Sequence, residues 1–168
     1  QAYVNDSPRE YGNFSVSIIT WATTFSTDDD NFVNPVFEQL LDDRQVISGR
    51  LVGARGITEV VDTTGFYQGY GRTQQDVVIP SFIAAYTGQS AQSVKLDPFS
   101  IFPLPNWDIT YDGLSRLAPF SKLFRTFTIN HSYRSTFSIG SYQTNLLYTQ
   151  DGEALDAIGN FIPQRQIM

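Results

Sequence analysis

The stretch FTINHSYRSTFSIGSY, residues 127–142, constrains the fold more than any other part of the chain. Its odd positions carry Phe127, Ile129, His131, Tyr133, Ser135, Phe137, Ile139 and Ser141, largely apolar and aromatic. Its even positions carry Thr128, Asn130, Ser132, Arg134, Thr136, Ser138, Gly140 and Tyr142, polar or small almost throughout. A period of two marks a strand, because successive side chains point to opposite faces of a sheet. One face is apolar and aromatic and the other is hydrophilic. What each face meets, a core and water or lipid and a hydrated lumen, decides the kind of protein.

Two further segments alternate. NWDITYDGL sets Trp107, Ile109 and Tyr111 against Asp108, Thr110 and Asp112. NFSVSIITWATTFS sets Phe14, Val16 and Ile18 against Ser15 and Ser17. Its phase slips at Ile18-Ile19, where a bulge or a register shift is expected, and continues through Trp21, Thr23 and Phe25 to end at Asp28-Asp29-Asp30. Residues 1–13 read as irregular, with turn signals at 5–8. Asn34-Pro35 opens a helix, with Asn as cap and Pro in the first turn. Phe37, Leu40, Leu41, Ile47 and Leu51 continue it, with an interruption at Gly49. Gly53 to Arg72 holds five glycines and reads as a long loop. IPSFIAAY is a second helical piece ending at Gly88, and SAQSV adds a turn. PFSIFPLPN, with three prolines, is expected to be extended. Asp151-Gly152 is a turn, and no closing element is evident before Met168. The organisation is a lead-in and strand over residues 1–27, a loop and helical insertion over 28–104, and strands with a hairpin over 105–168.

The chain carries 11 Lys and Arg against 17 Asp and Glu, a net charge of −6, which makes it a poor partner for nucleic acid. Charged residues are 17% and aromatics 14%; soluble domains average about 25% charged. A surface short of charge suits contact with something other than water. No apolar run reaches the ~20 residues of a membrane helix, which leaves membrane strands open. Cysteine is absent, so disulfides and thiolate metal sites are excluded. No signal peptide is visible and residue 1 is Gln, so a mature, trimmed or interior piece is expected. So few strands leave open sheet edges, which favours part of a larger sheet.

Catalytic and binding patterns fail on inspection. His131, the single histidine, falls mid-strand between Ile129 and Tyr133 on the apolar row, a poor place for a general base. Counted from Asp28, a calcium loop needs Gly and Glu where Val33 and Gln39 stand. Gly69-Tyr70-Gly71 follows no strand and lacks the lysine of a phosphate loop. Asp108 and Asp112 share one face of a strand but are ~13 Å apart along it, too far for a glycosidase pair. No catalytic, cofactor-binding or metal-binding residue is assigned, and the chain is not read as an enzyme. Arg134 on the hydrophilic face suits either a solvent-facing or a lumen-facing position.

The segments NFSVSIITWATTF, GYGRTQQDVVIPSFIAAYTGQSAQSV, PLPNWDITYDGLSRL and FRTFTINHSYRSTFSIGSYQTNL, in this order, resemble the SprA family, also called Sov. That family is the outer-membrane translocon of type IX secretion in Bacteroidetes, tied to gliding motility in some members. The resemblance covers most of residues 11–147 and is most specific over 105–146. It implies an all-β fold with inserted short helices: a section of a large transmembrane antiparallel β-barrel plus a long loop insertion. It implies a pore in the bacterial outer membrane that exports folded cargo, with a lateral opening.

The implied partners are the remainder of the translocon chain, a PorV-type shuttle barrel, a periplasmic plug protein, cargo bearing the type IX C-terminal signal, and the lipid bilayer, with no nucleic acid and no cofactor. On that reading Trp107, Ile109, Tyr111, Phe127, Ile129, Tyr133, Phe137 and Ile139 face lipid, with Trp107 and Tyr133 near a headgroup girdle. Asp108, Thr110, Asp112, Thr128, Asn130, Ser132, Arg134, Thr136 and Ser138 face the lumen. The residues themselves leave two alternatives open: a soluble secreted β-rich domain that binds a ligand or carbohydrate, and a TonB-dependent importer barrel.

Overall fold

The computed structural model describes residues 3–4, 7–57, 61–149 and 151–168. Its strands are β1 (Tyr3–Val4), β2 (Ser7–Pro8), β3 (Tyr11–Ser17), β4 (Trp107–Tyr111), β5 (Ile129–Tyr133), β6 (Thr136–Thr144) and β7 (Arg165–Ile167). Its helices are α1 (Pro35–Arg55), α2 (Gln75–Thr87) and α3 (Ala118–Ser121). Helix and strand therefore both build it. Among the described residues the sheets are β1–β2, β3–β6–β7 and β4–β5, all antiparallel, and none closes into a barrel. Of the turn signals at 5–8, residues 5 and 6 lie outside the described residues.

The alternating stretch that opened the sequence reading becomes two strands separated by Arg134-Ser135. β6 pairs with β3, Phe14 opposite Ile139 and Val16 opposite Phe137. β5 pairs with β4, from Trp107 opposite Tyr133 to Tyr111 opposite Ile129. Ser135 is held from both: its carbonyl accepts from the Ile18 N–H, and its own N–H donates to Asn106 Oδ1 (3.0 Å). β3 and β4 thus run in succession along one edge of the ribbon formed by residues 129–144. Between them the chain leaves and returns at a neck: Leu104 N–H donates to Ser17 O at 3.0 Å, and Ser17 Oγ–H donates to Leu104 O.

The chain leaves the sheet at Ser17, earlier than the alternation predicts. Thr20 O accepts from the N–H groups of Thr23 and Thr24, so Trp21 to Phe25 form a turn rather than strand. The register shift lies between Gly12 and Phe14, not at Ile18-Ile19. The extra residue is on β6, between Ile139 and Tyr142, which reverses the phase there. Tyr142, the aromatic exception on the even row, thereby meets the Phe99 ring at 4.8 Å.

α1 starts as expected: Asn34 Oδ1 accepts from the N–H groups of Val36 (3.0 Å) and Phe37 (3.4 Å), and Pro35 occupies the first turn. It runs unbroken through Gly49 for 21 residues and ends at Gly56 with φ +67°. Gly49 is a contact rather than a break, because a Cβ there would press on the Tyr67 ring at 2.9 Å. α2 ends at Gly88, φ +69°, as the cap predicts, but begins five residues before Pro80. Residues 90–94 form the expected extra turn. Pro98–Ser100 is a 3-10 turn rather than extended, because Asp97 Oδ1 accepts from the Phe99 N–H.

The core lies between the helices and one face of β3–β6. Ile47, Ile83, Ala84, Ala91 and Val94 form its centre, with Phe82 and Phe137 against them. A second cluster joins Val52, Phe66, Tyr70 and Val77, with Phe161 packed on it. The C-terminal segment closes the fold: Phe161 N–H donates to Gly69 O, and β7 pairs with Tyr142–Thr144.

Candidate functional site

The β4–β5 ribbon is where the two-faced pattern is open on both sides. Trp107 and Tyr133, Ile109 and His131, Tyr111 and Ile129 are opposite pairs on one face. Asp108 with Ser132 and Thr110 with Asn130 are the pairs on the other. Ile109, Tyr111 and Ile129 are 55%, 50% and 44% exposed, the open end of a face whose other end packs against Trp21. All nine residues expected on the hydrophilic side, Asp108, Thr110, Asp112, Thr128, Asn130, Ser132, Arg134, Thr136 and Ser138, are also exposed. Ser15 and Ser138 place their hydroxyls 3.1 Å apart on that side of β3–β6.

The apolar row is not one surface. Ile139 is only 5% exposed, and the Phe137 ring stands 6.1 Å from Phe82 of α2. Phe137 packs on the helical cluster, because the insertion folds back over the β3–β6 half of the ribbon, and Ile139 is buried on the same half. Phe127 and Thr128 precede β5. Phe127 packs on Phe120 and Phe124, at centroid distances of 5.8 and 5.4 Å, in the segment that joins β4 to β5.

An aromatic corner sits where the covered half meets the open half. Trp107 stacks on Tyr133 at 4.7 Å, and Trp21 meets Trp107 nearly edge-on at 5.8 Å. Tyr133 Oη accepts from the Thr20 N–H at 2.6 Å. Trp107 Nε1–H donates to His131 Nδ1 at 2.9 Å. A neutral His131 therefore carries its proton on Nε2. The sequence offered no sign that Trp21 joins this corner, since the turn at Thr20–Thr24 brings it there from a distant part of the chain. The Trp107 and His131 rings also stack at a centroid distance of 6.0 Å across the two strands, and His131 stays exposed.

Elsewhere the polar groups serve the scaffold. Asp29 Oδ1 accepts from the N–H groups of Asn31 and Val33, which holds its carboxyl below the usual range. Gly69 and Gly71 press against Phe161 and Asn160. A cavity of about 290 Å³ lies between α2, the Asp97–Phe99 turn and β7, lined by Asp76, Ile79, Asp97, Phe99, Arg165 and Ile167. Burial pushes the Asp76 carboxyl up, and Gln75 and Arg55 oppose that shift. Among the described residues no group of three or more His, Asp or Glu side chains could hold a metal ion. No described helix is long and apolar enough to cross a membrane. No protein-family model matches the chain, and no curated protein matches it either.

Proposed function

We propose that the chain is a section of an outer-membrane protein-conducting translocon of the SprA type, exporting folded cargo by type IX secretion. The observation that carries this reading is the β4–β5 ribbon, apolar on one exposed face and hydrophilic on the other. A free two-stranded ribbon is marginal in water, so its edges call for neighbouring strands and its apolar face for a non-aqueous environment. The remainder of the translocon chain supplies the strands and the bilayer the environment. Ile109, Tyr111 and Ile129 then face lipid, with Trp107 and Tyr133 toward the headgroups. Asp108, Thr110, Asn130, Ser132 and Arg134 line the lumen. The insertion caps the β3–β6 half of the ribbon at a barrel mouth, and the cargo, the PorV-type shuttle and the plug protein follow from the family resemblance. The chain supplies no catalyst on this reading.

The test is Ile129→Arg against Ser132→Arg in the full-length protein. The first places a charge in lipid at ~2–4 kcal/mol near the midplane and impairs membrane assembly. The second leaves assembly intact. Equal effects, or the reverse order, overturn the face assignment, and a parent protein that stays soluble without detergent overturns the translocon reading. A secreted ligand-binding domain is the second reading. It is favoured by the packing of Phe137 on the chain's own helices and the burial of Ile139.

A further inference from the structure

We propose that the segment joining β4 to β5, residues 113–128, docks onto a bilayer surface bearing anionic phospholipid headgroups. From Gly113 to Gln150 the sequence holds four of the 11 Lys and Arg and none of the 17 Asp and Glu. Three of those cations, Arg116, Lys122 and Arg125, are exposed on this segment. They make no ion pair or hydrogen bond among the described residues. Several cations elsewhere are engaged, Arg50 with Ala91 O and Val94 O, Arg55 with Gly152 O and Arg165 with Glu10, though Arg9, Arg72 and Arg134 resemble the three in having no side-chain partner among the described residues. A basic segment is thus set into an acidic chain and left without internal partners.

Beside these cations stand Leu117, Leu123 and Phe124, 49%, 76% and 45% exposed. Cations interleaved with exposed leucine and phenylalanine match an anionic interface, where phosphates take the charges and acyl chains take the apolar groups. Nucleic acid or an acidic peptide would satisfy the charges and leave the leucines in water. The segment lies at the end of the ribbon that carries the Tyr111–Ile129 pair. Five paired residues span about 17 Å, short of the ~25 Å apolar band of a barrel, and the Phe120–Phe124–Phe127 cluster lies beyond them at the interface. The inference rests on the translocon reading for the ribbon's direction and adds the lipid class met at its end.

The test uses vesicles of phosphatidylcholine alone and vesicles containing phosphatidylglycerol, sedimented with the 168-residue chain at low and high salt. The expected result is binding to the anionic vesicles only, lost at high salt. The combined change Arg116→Gln, Lys122→Gln and Arg125→Gln is expected to weaken that binding about a hundredfold, roughly fivefold per cation. Leu123→Trp keeps every cation and reports insertion by a blue shift with anionic vesicles, so the result does not depend on the charge variant folding. Equal binding to both vesicle types, no binding to either, or preferential capture by polyglutamate or RNA overturns the proposal. Assembly of the Ile129→Arg and Ser132→Arg proteins is a separate measurement, so the two readings fail independently.

Discussion

Gly69 has φ +85°, and the Phe161 ring occupies the space a Cβ would need. Both conditions exclude a side chain. Gly69→Ala is expected to destabilise the fold by about 2 kcal/mol or more, whereas Gly53→Ala, in open space on α1, is expected to add up to about 1 kcal/mol. Urea midpoints of the two variants check this, and equal shifts would contradict it. Asp76 carries a pH dependence of definite sign. Burial raises its folded-state pKa above the unfolded value near 3.8, so the folded protein binds the proton more tightly. The stability this contributes is complete below about pH 4 and is lost as pH rises through the folded value. Asp76→Asn should therefore raise the urea midpoint near neutral pH and leave it unchanged in acid. A gain of equal size at both pH values would show that the effect comes from shape rather than charge.

At the scale of elements, α2 and the β4–β5 ribbon are opposites. α2 buries Val77, Ile83, Ala84 and Ala85, while Ile109, Tyr111 and Ile129 on the ribbon's apolar face stay about half exposed. Hydrogen exchange of the chain in water should find the α2 amides slowest and those of Ile109–Tyr111 and Ile129–His131 among the fastest. Ribbon amides as slow as those of α2 would sink the open-ribbon description. Elements fixed by local chemistry were legible in the sequence: the Asn34 cap, the Gly88 cap, and the alternation of β4, β5 and most of β6. Elements fixed by distant contacts were not. Ile19 to Phe25 alternate like a strand, yet the Thr20–Thr24 hydrogen bonds and the reach of Trp21 to Trp107 make a turn. Gly49 looks like a break until Tyr67 is seen against it. β7 has three residues, too few for a period, and exists because the β6 edge receives it. The two-faced ribbon, which is the candidate site, was readable. Its division into a covered and an open half was not, because the helices that cover Phe137 come from an insertion whose folding back no local pattern encodes.

At the scale of the whole molecule, a helical body and a ribbon share one long strand segment. The body supplies an ordinary core between α1, α2 and the Phe14, Val16, Phe137 and Ile139 face. The ribbon continues from it, with Trp21 on one end of its apolar face, Ile109, Tyr111 and Ile129 exposed at the other, and its hydrophilic face exposed. The vesicle and assembly experiments read the two ends of the ribbon separately. The neck at Ser17 and Leu104 has a kinetic consequence. Phe14 finds Ile139 across most of the chain, a pairing that bears a large loop-closure entropy if the strands meet first. If the helical unit condenses first, the neck brings β3 and β4 into line as one composite strand. Residues 129–144 can then zip along a template already in register, so the insertion acts during folding as an intramolecular splint.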